Sequence, residues 1–301
     1  MITYLELGSG KRGNLGNQLF QVASTIGIGI KTGHKVVFNQ WPYFKYFELD
    51  IMQETDFSLF VTICEPHFHY HHWNLPDGKF ALDGWLQSEK YFNDGTPRII
   101  LPFRSSYLKK AKLDLEKIVR KRKTILISIR RGDFVNNPNY FQLNYKDYFF
   151  NLIGAFPKWK DYFLLVTSDD IAYCKKYLGF IKNLHFIDNK TPIEIMILSN
   201  HVENCIISNS TFSWWLAYYC DKNGGNVIRP QQNFSDSYRK KNDDRDYFPD
   251  HWNVFEKFHF LEDSMRILKK SNWYEIYYYF FYFAINGLKR KIKSKLILFR
   301  L

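Results

Sequence analysis

The sequence predicts an α/β protein built from two Rossmann-like domains that face a cleft. A β-α-β unit opens the chain, because apolar runs at residues 2–7 and 35–38 flank a segment, residues 17–31, whose apolar side chains recur at helical spacing. From residue 124 onward apolar strands alternate with helices, which is typical of a parallel sheet covered on both faces. The charged segment 109–123 between the two halves predicts a solvated helix at the domain junction.

The second half divides clearly into elements, whereas the aromatic stretch 40–105 does not. Its strands are predicted at residues 124–129, 162–167, 184–187, 205–208 and 226–229. Its helices are predicted at residues 145–155, 170–178, 192–199 and 211–220. The resulting boundaries are 1–120 and 121–265 for the two domains, followed by a basic, aromatic tail at 266–301.

Composition narrows the class of protein and its partners. The chain has 301 residues and a formal net charge of +12, which indicates an anionic partner such as nucleic acid, a phosphate-bearing ligand or an acidic membrane surface. Its four cysteines are widely spaced, without a C-x-x-C pair, and are predicted to be buried reduced thiols. The first residues lack the build of a signal peptide, so we expect a cytoplasmic protein.

The C-terminal tail combines aromatic and basic residues. The aromatic run that begins at residue 273 is shorter than the roughly 20 apolar residues that span a bilayer, and a lysine-rich stretch follows it. Tyrosine and tryptophan favour the membrane interface, and lysine favours anionic headgroups. Residues 273–301 are therefore predicted to form an amphipathic helical anchor at the inner face of the plasma membrane, the alternative being a helix packed on the core.

The glycine-rich loop at residues 8–13 has the G-x-G-x-x-G spacing of dinucleotide-binding proteins. That fingerprint requires an acidic residue near the end of the second strand, where this chain has Asn39. An NAD-dependent oxidoreductase is therefore disfavoured. Asn17 and Gln18 instead place amides and backbone N–H groups at a helix N-terminus, which suits a polar or anionic ligand.

Two arginines and an aspartate directly follow the predicted strand 124–129, at the edge where a parallel sheet binds its ligands. The planar guanidinium groups of Arg130 and Arg131 suit phosphate oxygens. The alternative interpretation is a structural ion pair with Asp133.

Two further strand ends carry polar residues. Ser168 and Asp169 follow one strand and can accept hydrogen bonds from a base or ribose, whereas Asp170 is expected to cap the next helix. Another strand is followed by more polar residues than one helix cap needs, which favours anion binding at a helix N-terminus. These residues are Ser208, Asn209, Ser210 and Thr211.

Together these motifs resemble glycosyltransferase family 11, the bacterial α-1,2-fucosyltransferases. The matching segments, in family order, are GNLGNQLFQ (13–21), LDGWLQSEKYF (82–92), SIRRGDF (128–134), TSDD (167–170) and SNSTFSWWLA (208–217). The resemblance implies a two-domain GT-B fold with an acceptor-side first domain and a nucleotide-sugar-binding second domain. It also implies GDP-fucose as the donor, inversion at the anomeric carbon of fucose, and no metal or other cofactor.

The resemblance further implies roles for individual residues. Arg130 would bind the β-phosphate of the donor and Arg131 would support the motif, while Asp169 would meet the guanine or the ribose. Asn17 would lie near the transferred sugar. The residues implied to cradle the pyrophosphate are Ser210, Thr211 and Phe212. Those implied on the acceptor side are Asp83, Trp85 and Gln87.

Transfer from a nucleotide sugar requires stabilisation of the departing GDP and a base for the acceptor hydroxyl. Arg130 is predicted to supply the first. Asp133 is one candidate for the second, with a structural pair as the alternative, and the sequence does not decide the identity of the base. Other carboxylates that could face the cleft are Glu6, Asp83 and Glu89. Asp244 and Asp246 have the D-x-D spacing of a metal-binding motif, but they lie in a polar loop and are expected at the surface.

These observations predict an inverting transferase that moves L-fucose from GDP-fucose to a galactoside hydroxyl, in α-1,2 linkage, during surface polysaccharide or O-antigen assembly. The acceptor is expected to be a glycan, and a lipid-linked one is compatible with the tail. Ser128 stands where the family commonly has histidine, which leaves another GDP-hexose donor as an alternative. A basic module that binds nucleic acid is disfavoured, because the basic residues cluster at one end without a recognisable binding motif.

Overall fold

The computed structural model describes residues 1–93, 95–96, 98–255, 278–279 and 281–286, which form three parallel β-sheets of three, six and two strands with surrounding helices. The strands are β1 (Ile2–Thr3), β2 (Val37–Phe38), β3 (Met52–Gln53), β4 (Val61–Cys64), β5 (Phe80–Asp83), β6 (Thr124–Ile129), β7 (Phe163–Ser168), β8 (Leu184–Phe186), β9 (Asn204–Ile206), β10 (Asn226–Pro230) and β11 (Asn253–Phe255). The α-helices are α1 (Leu15–Thr32), α2 (Ser105–Val119), α3 (Tyr145–Ala155), α4 (Ile171–Leu178), α5 (Pro192–Ser199), α6 (Thr211–Lys222) and α7 (Asp236–Arg239).

The first half of the chain forms the smaller sheet. Its strands pair in the order β1-β5-β4, and β2 pairs with β3 beside them. All these pairs are parallel, and a parallel bridge between Ile2 and Val36 joins the two pieces. The long helix α1 ends at Gly33, whose φ of 72° is a left-handed conformation that glycine adopts without a Cβ penalty.

The second half forms a six-stranded parallel sheet in the order β11-β10-β9-β6-β7-β8. The central strand β6 is buried along its whole length. From β6 the chain moves outward to β8, then returns to β9 on the other side of β6 and continues to β11. The strand order therefore reverses between β6 and β9, and open α/β sheets bind their ligands in the crevice at such a point.

Polar side chains determine where the helices of the second half begin. Asn144 and Asp147 form a capping box at the start of α3, and Thr191 and Glu194 form another at α5. Asp170 caps α4 by accepting a hydrogen bond of 2.9 Å from a backbone N–H in its first turn, as predicted. These caps leave the remaining first-turn N–H groups at the carboxyl edge of the sheet, where a ligand can reach them.

The two halves share one hydrophobic core, in which α1 meets α6. The ring of Phe20 lies 4.5 Å from that of Trp214 and 5.2 Å from that of Trp215. The indole Nε1 of Trp215 donates a hydrogen bond of 3.0 Å to the carbonyl of Gly16. A Cβ added to Gly16 would lie 2.5 Å from the backbone nitrogen of Phe212, so glycine is required there. We call this contact between the two helix N-termini the helix seam.

The structure confirms the α/β class and the two parallel, Rossmann-like halves. The strand 124–129 and the helices 145–155 and 192–199 fall at their predicted bounds. The charged segment is helical but begins and ends earlier than predicted, at Ser105–Val119. The domain boundaries remain predictions, and most of the tail at 266–301 lies outside the described residues.

Three sequence predictions of local structure need correction. The strand predicted at residues 2–7 ends at Thr3, because the chain turns there and the hydroxyl of buried Tyr4 donates a hydrogen bond of 2.8 Å to the carbonyl of Gly84. Cys64 is exposed, although the other three cysteines are buried free thiols as predicted. The undivided aromatic stretch contains the short strands β3, β4 and β5, and β11 was not anticipated.

Replacing Gly16 by alanine is expected to destabilise the protein by about 1–3 kcal/mol, because the added methyl group forces apart the backbones of α1 and α6. The matched control is Gly154→Ala in α3, where an added Cβ meets nothing within 4 Å. That substitution is expected to stabilise the protein by about 0.5–1 kcal/mol, since alanine loses less backbone entropy than glycine in a helix. Urea unfolding midpoints measure both, and equal midpoints would contradict the proposed constraint at Gly16.

Candidate functional site

A cavity of about 990 Å³ lies where the carboxyl ends of β6, β7 and β8 face the N-terminus of α1. The N-terminus of α6 also opens into it. Of the residues singled out in the sequence, the cavity is lined by Asn17, Gln18, Trp85, Gln87, Arg130, Asp133, Ser168, Asp169, Asn209, Ser210, Thr211 and Phe212. Residues separated by up to 195 positions in the chain are thus brought together in one space, whereas Asp83, Arg131 and Ser208 do not line it.

Four buried serines form a hydrogen-bonded cluster at the N-terminus of α6. The hydroxyl of Ser213 lies 2.7 Å from those of Ser128 and Ser208 and 2.9 Å from that of Ser210. Ser210 is the N-cap residue and accepts a hydrogen bond of 3.2 Å from the backbone N–H of Ser213. Because hydroxyl protons rotate, this cluster can turn donors towards an anion in the cavity without moving the backbone.

The N-terminus of α1 supplies further polar groups to the cavity. The side-chain amide of Gln87 donates a hydrogen bond of 3.1 Å to Oδ1 of Asn17. Gln18 is held at both ends, since its amide nitrogen donates to the carbonyl of Gly13 and its oxygen accepts from Nε1 of Trp41 at 2.8 Å. Two helix N-termini therefore meet at the cavity, and both carry partial positive charge.

Arg130 lies on the cavity wall between two carboxylates. It forms an ion pair with Asp133 and another with Asp169, in which Nη1 lies 3.0 Å from Oδ2. Its Nε is buried without a hydrogen-bond partner among the described residues. The guanidinium group therefore makes the structural ion pair that the sequence left as an alternative, and it also lines the cavity.

Arg131 and Asp169 hold the position of this arginine. The backbone N–H of Arg131 donates to Oδ1 of Asp169 at 2.8 Å, while its guanidinium group lies 3.9 Å from the ring centre of Tyr173. Arg131 is therefore turned towards α4 and away from the cavity. A Cβ at Gly132 would lie 2.4 Å from Oδ2 of Asp169, so the R-R-G-D sequence also needs its glycine.

The carboxylates left open as candidate bases occupy different places. Asp83 pairs with Arg12 at 2.5 Å, and Glu6 pairs with Lys11 at 3.3 Å. Glu89 accepts a hydrogen bond from a neighbouring side-chain amide. None of these three lines the cavity, whereas Asp133, Asp169 and Asp188 do. The sequence did not predict Asp188 as a site residue. The only feature that points to it is its position just after a short predicted strand.

Glu65 is a second residue that the sequence did not reveal. Its carboxylate accepts hydrogen bonds from the backbone N–H groups of Trp85 at 2.8 Å and of Leu86 at 3.2 Å. The hydroxyl of Tyr91 lies 3.4 Å away. Burial raises the pKa of the Glu65 carboxyl to about 7. Glu65 therefore fixes the turn that presents Trp85 and Gln87 to the cavity.

The D-x-D motif is part of the fold, and the prediction that it lies at the surface is wrong. Asp244 is buried and accepts hydrogen bonds from the backbone N–H groups of Asn233 and Phe234. It also pairs with Arg239 at 2.6 Å. Asp246 pairs with Lys90 at 2.5 Å across the two halves. Within the described part of the chain, no three histidine, cysteine or acidic side chains are arranged to hold a metal ion.

Comparison with known proteins identifies the family. The sequence model of glycosyl transferase family 11 matches residues 31–256, which is most of the chain. The chain belongs to glycosyl transferase family 11. This membership confirms the resemblance seen in the motifs, and it leaves no support for an oxidoreductase or a nucleic-acid-binding module.

Three relatives of this family 11 protein have names that describe their activity. An α-1,2-colitosyltransferase from Escherichia coli is 24% identical over 284 residues, covering 81% of this chain and 97% of the relative. A galactoside 2-α-L-fucosyltransferase from Caenorhabditis elegans is 28% identical over 286 residues, covering 79% and 76%. An O-antigen biosynthesis glycosyltransferase, WbnK, from Escherichia coli is 26% identical over 126 residues, covering 39% and 41%.

Replacing Glu65 by glutamine should change how stability depends on pH. The folded-state pKa of about 7 lies above the ordinary value of 4.5, so folding holds a proton that the unfolded chain releases. Wild-type stability therefore falls as pH rises from about 4.5 to 7, on the order of 3 kcal/mol, and then levels off. Glutamine cannot ionise, so the stability of Glu65→Gln relative to wild type should rise over that range.

Chemical denaturation of both proteins at pH 5, 6, 7 and 8 measures this difference. A constant difference across the series would show that the Glu65 carboxyl does not titrate in this window.

Proposed function

We propose that the protein transfers L-fucose from GDP-fucose to a galactoside hydroxyl, with inversion and in α-1,2 linkage, during surface polysaccharide assembly. The observation that carries the proposal is that Arg130 lines one cavity together with two helix N-termini. A nucleotide-sugar donor needs such a site, because its diphosphate gains negative charge as the sugar leaves. The named activities of the three relatives support the sugar class and the pathway.

The diphosphate is proposed to bind between Arg130 and the N-terminus of α6. The guanidinium group of Arg130 and the hydroxyls of Ser210 and Ser213 line the cavity and provide donors from two parts of the chain. These donors are held in place before the reaction, so they stabilise developing charge without reorganisation. We propose that they replace a metal ion, and that transfer needs none.

The guanine base is proposed to bind at the carboxyl end of β8. Neighbouring strands lie about 4.8 Å apart, so β8 lies roughly 10 Å from β6, a distance that a nucleoside can span from the phosphate site. There Asp188 offers two acceptor oxygens, which suit the N1–H and N2–H groups of guanine. The wall around it is apolar and includes Ile187, Pro192 and Ile195. Asp169 is better placed to hold Arg130, to which it is paired.

Asp133 is proposed as the base that accepts the proton of the acceptor hydroxyl. Its side chain is 67% exposed and lies at the cavity, where an incoming acceptor can reach it. When the donor diphosphate occupies Arg130, it competes with Asp133 for the guanidinium group and releases the carboxylate. The acceptor sugar is proposed to pack on the half-exposed ring of Trp85 and to hydrogen-bond with Gln87.

Another GDP-hexose is the second candidate donor. The Escherichia coli relative that aligns over 97% of its length is named for the transfer of colitose. In addition, Ser128 places a small hydroxyl where the family pattern commonly has an imidazole. Transfer assays with GDP-fucose and GDP-colitose in parallel separate the two. A site that hydrogen-bonds a sugar hydroxyl rejects an analogue without it strongly, so the preferred donor should be evident from kcat/KM.

Replacing Arg130 by alanine is expected to lower the rate of transfer about 10²–10³-fold, because the leaving diphosphate loses its main charged partner. The matched control is Arg245→Ala. It removes an exposed arginine that pairs with Asp243 and lies far from Arg130 in the sequence. GDP release with a galactoside acceptor measures both, with circular dichroism to verify folding. Full activity of Arg130→Ala would overturn the proposed role of Arg130 in stabilising the diphosphate. Loss of wild-type activity in the presence of a chelator would overturn the proposal that transfer needs no metal ion.

Replacing Asp188 by asparagine is expected to weaken GDP binding by about one to two orders of magnitude, since a charged acceptor of two guanine N–H groups is lost. Binding of ADP and UDP should change little. Lys175→Ala is the control, because it removes the lysine that lies 2.7 Å from Asp188 and leaves the carboxylate in place. Calorimetry with the three nucleotides measures these affinities. An unchanged preference for GDP in Asp188→Asn would show that the guanine base binds elsewhere.

A further inference from the structure

The described part of the tail packs on the second half by one face. The residues concerned are helical at 278–279 and 281–286, and we call them the tail helix. The ring of Tyr279 lies 4.8 Å from that of Phe149, and the rings of Tyr282 and Phe283 lie 5.1 Å and 5.7 Å from that of Phe180. This face is part of the core cluster beneath α3 and α4, so the tail helix is fixed to the body of the protein.

The opposite face of the tail helix is also apolar, and it faces solvent. Tyr278, Phe281 and Ile285 are 57%, 58% and 52% exposed. Their spacing of three and four positions places them on one side of a helix. A helix at the surface of a soluble domain normally presents charged or polar residues on its outer side. We call these three residues the outer stripe.

Basic residues lie beside the tail helix in the structure and follow it in the sequence. Lys175 and Lys176 line a small cavity of about 280 Å³ together with Tyr282 and Asn286 of the tail helix. The sequence directly after the helix is rich in lysine and arginine and has no acidic residue up to the end of the chain. Its basic residues are Lys289, Arg290, Lys291, Lys293, Lys295 and Arg300.

We propose that the outer stripe docks on an anionic membrane surface. Tyrosine and apolar side chains partition into the headgroup region, and adjacent lysines are attracted to anionic lipids. No helix in the described residues is long and apolar enough to cross a bilayer. Because the tail helix lies against the body of the protein, the proposed contact is made by apolar side chains and charge at the interface. This inference goes beyond the proposed function and does not depend on it.

Co-sedimentation of the full chain with vesicles tests the inference. Wild-type protein is expected to bind vesicles of phosphatidylcholine with 30% phosphatidylglycerol at least tenfold more tightly than vesicles of phosphatidylcholine alone. The difference should shrink as salt is raised from about 50 to 500 mM, because salt screens surface charge. The double variant Tyr278→Ser, Ile285→Ser is expected to bind the anionic vesicles about tenfold more weakly or worse, because it removes two of the three side chains that enter the interface.

The matched control replaces two exposed apolar residues elsewhere, Ile30→Ser with Leu113→Ser, which are 62% and 59% exposed. This control should bind vesicles as wild type does. All three proteins should transfer sugar to a free, water-soluble acceptor at the same rate, which shows that they are folded. Absence of wild-type binding, or equal binding by the stripe variant and the control, would overturn the proposal. So would a wild-type dimer in light scattering that the stripe variant abolishes, since the stripe would then contact a second copy.

Discussion

The helix seam is the contact on which the rest of the structure depends. α1 and α6 come from different halves of the chain, and their first turns touch at Gly16 without room for a side chain. The body of α6 is buried against both halves through Trp214 and Trp215, so its position cannot adjust independently. The same helix carries the serine cluster at its N-terminus. Packing in the core and charge in the cavity are therefore set by one element.

The sequence predicted the second half of the fold far better than the first. Strands β6 and β7 are runs of apolar residues flanked by clear turn signals, and the caps of α3 and α5 are visible as polar residues at fixed spacing. Strands β3 and β4 are two and four residues long and largely exposed, so no apolar run marks them. At residues 2–7 the apolar run misleads, because the chain turns after Tyr4 while Tyr4 and Leu7 are buried as separate side chains.

The sequence also located most of the candidate site, because the residues of a parallel sheet that follow its strands meet at one edge. Arg130, Ser168 and Asp169 were found in this way. The orientation of side chains was harder to predict, since the sequence cannot show that Arg131 turns towards Tyr173. Long-range partners were invisible too. Asp244 looked like a surface residue because its burial is compensated by Arg239 and by backbone N–H groups elsewhere.

The shared core has a consequence for exchanging parts between relatives. A chimera that joins the first half of one family member to the second half of another would cut through the contact between Phe20 and the paired tryptophans of α6. Such a graft would have to carry the matching residues of α1 with it. Substitutions are more readily introduced in the turn held by Glu65, which lies outside that contact.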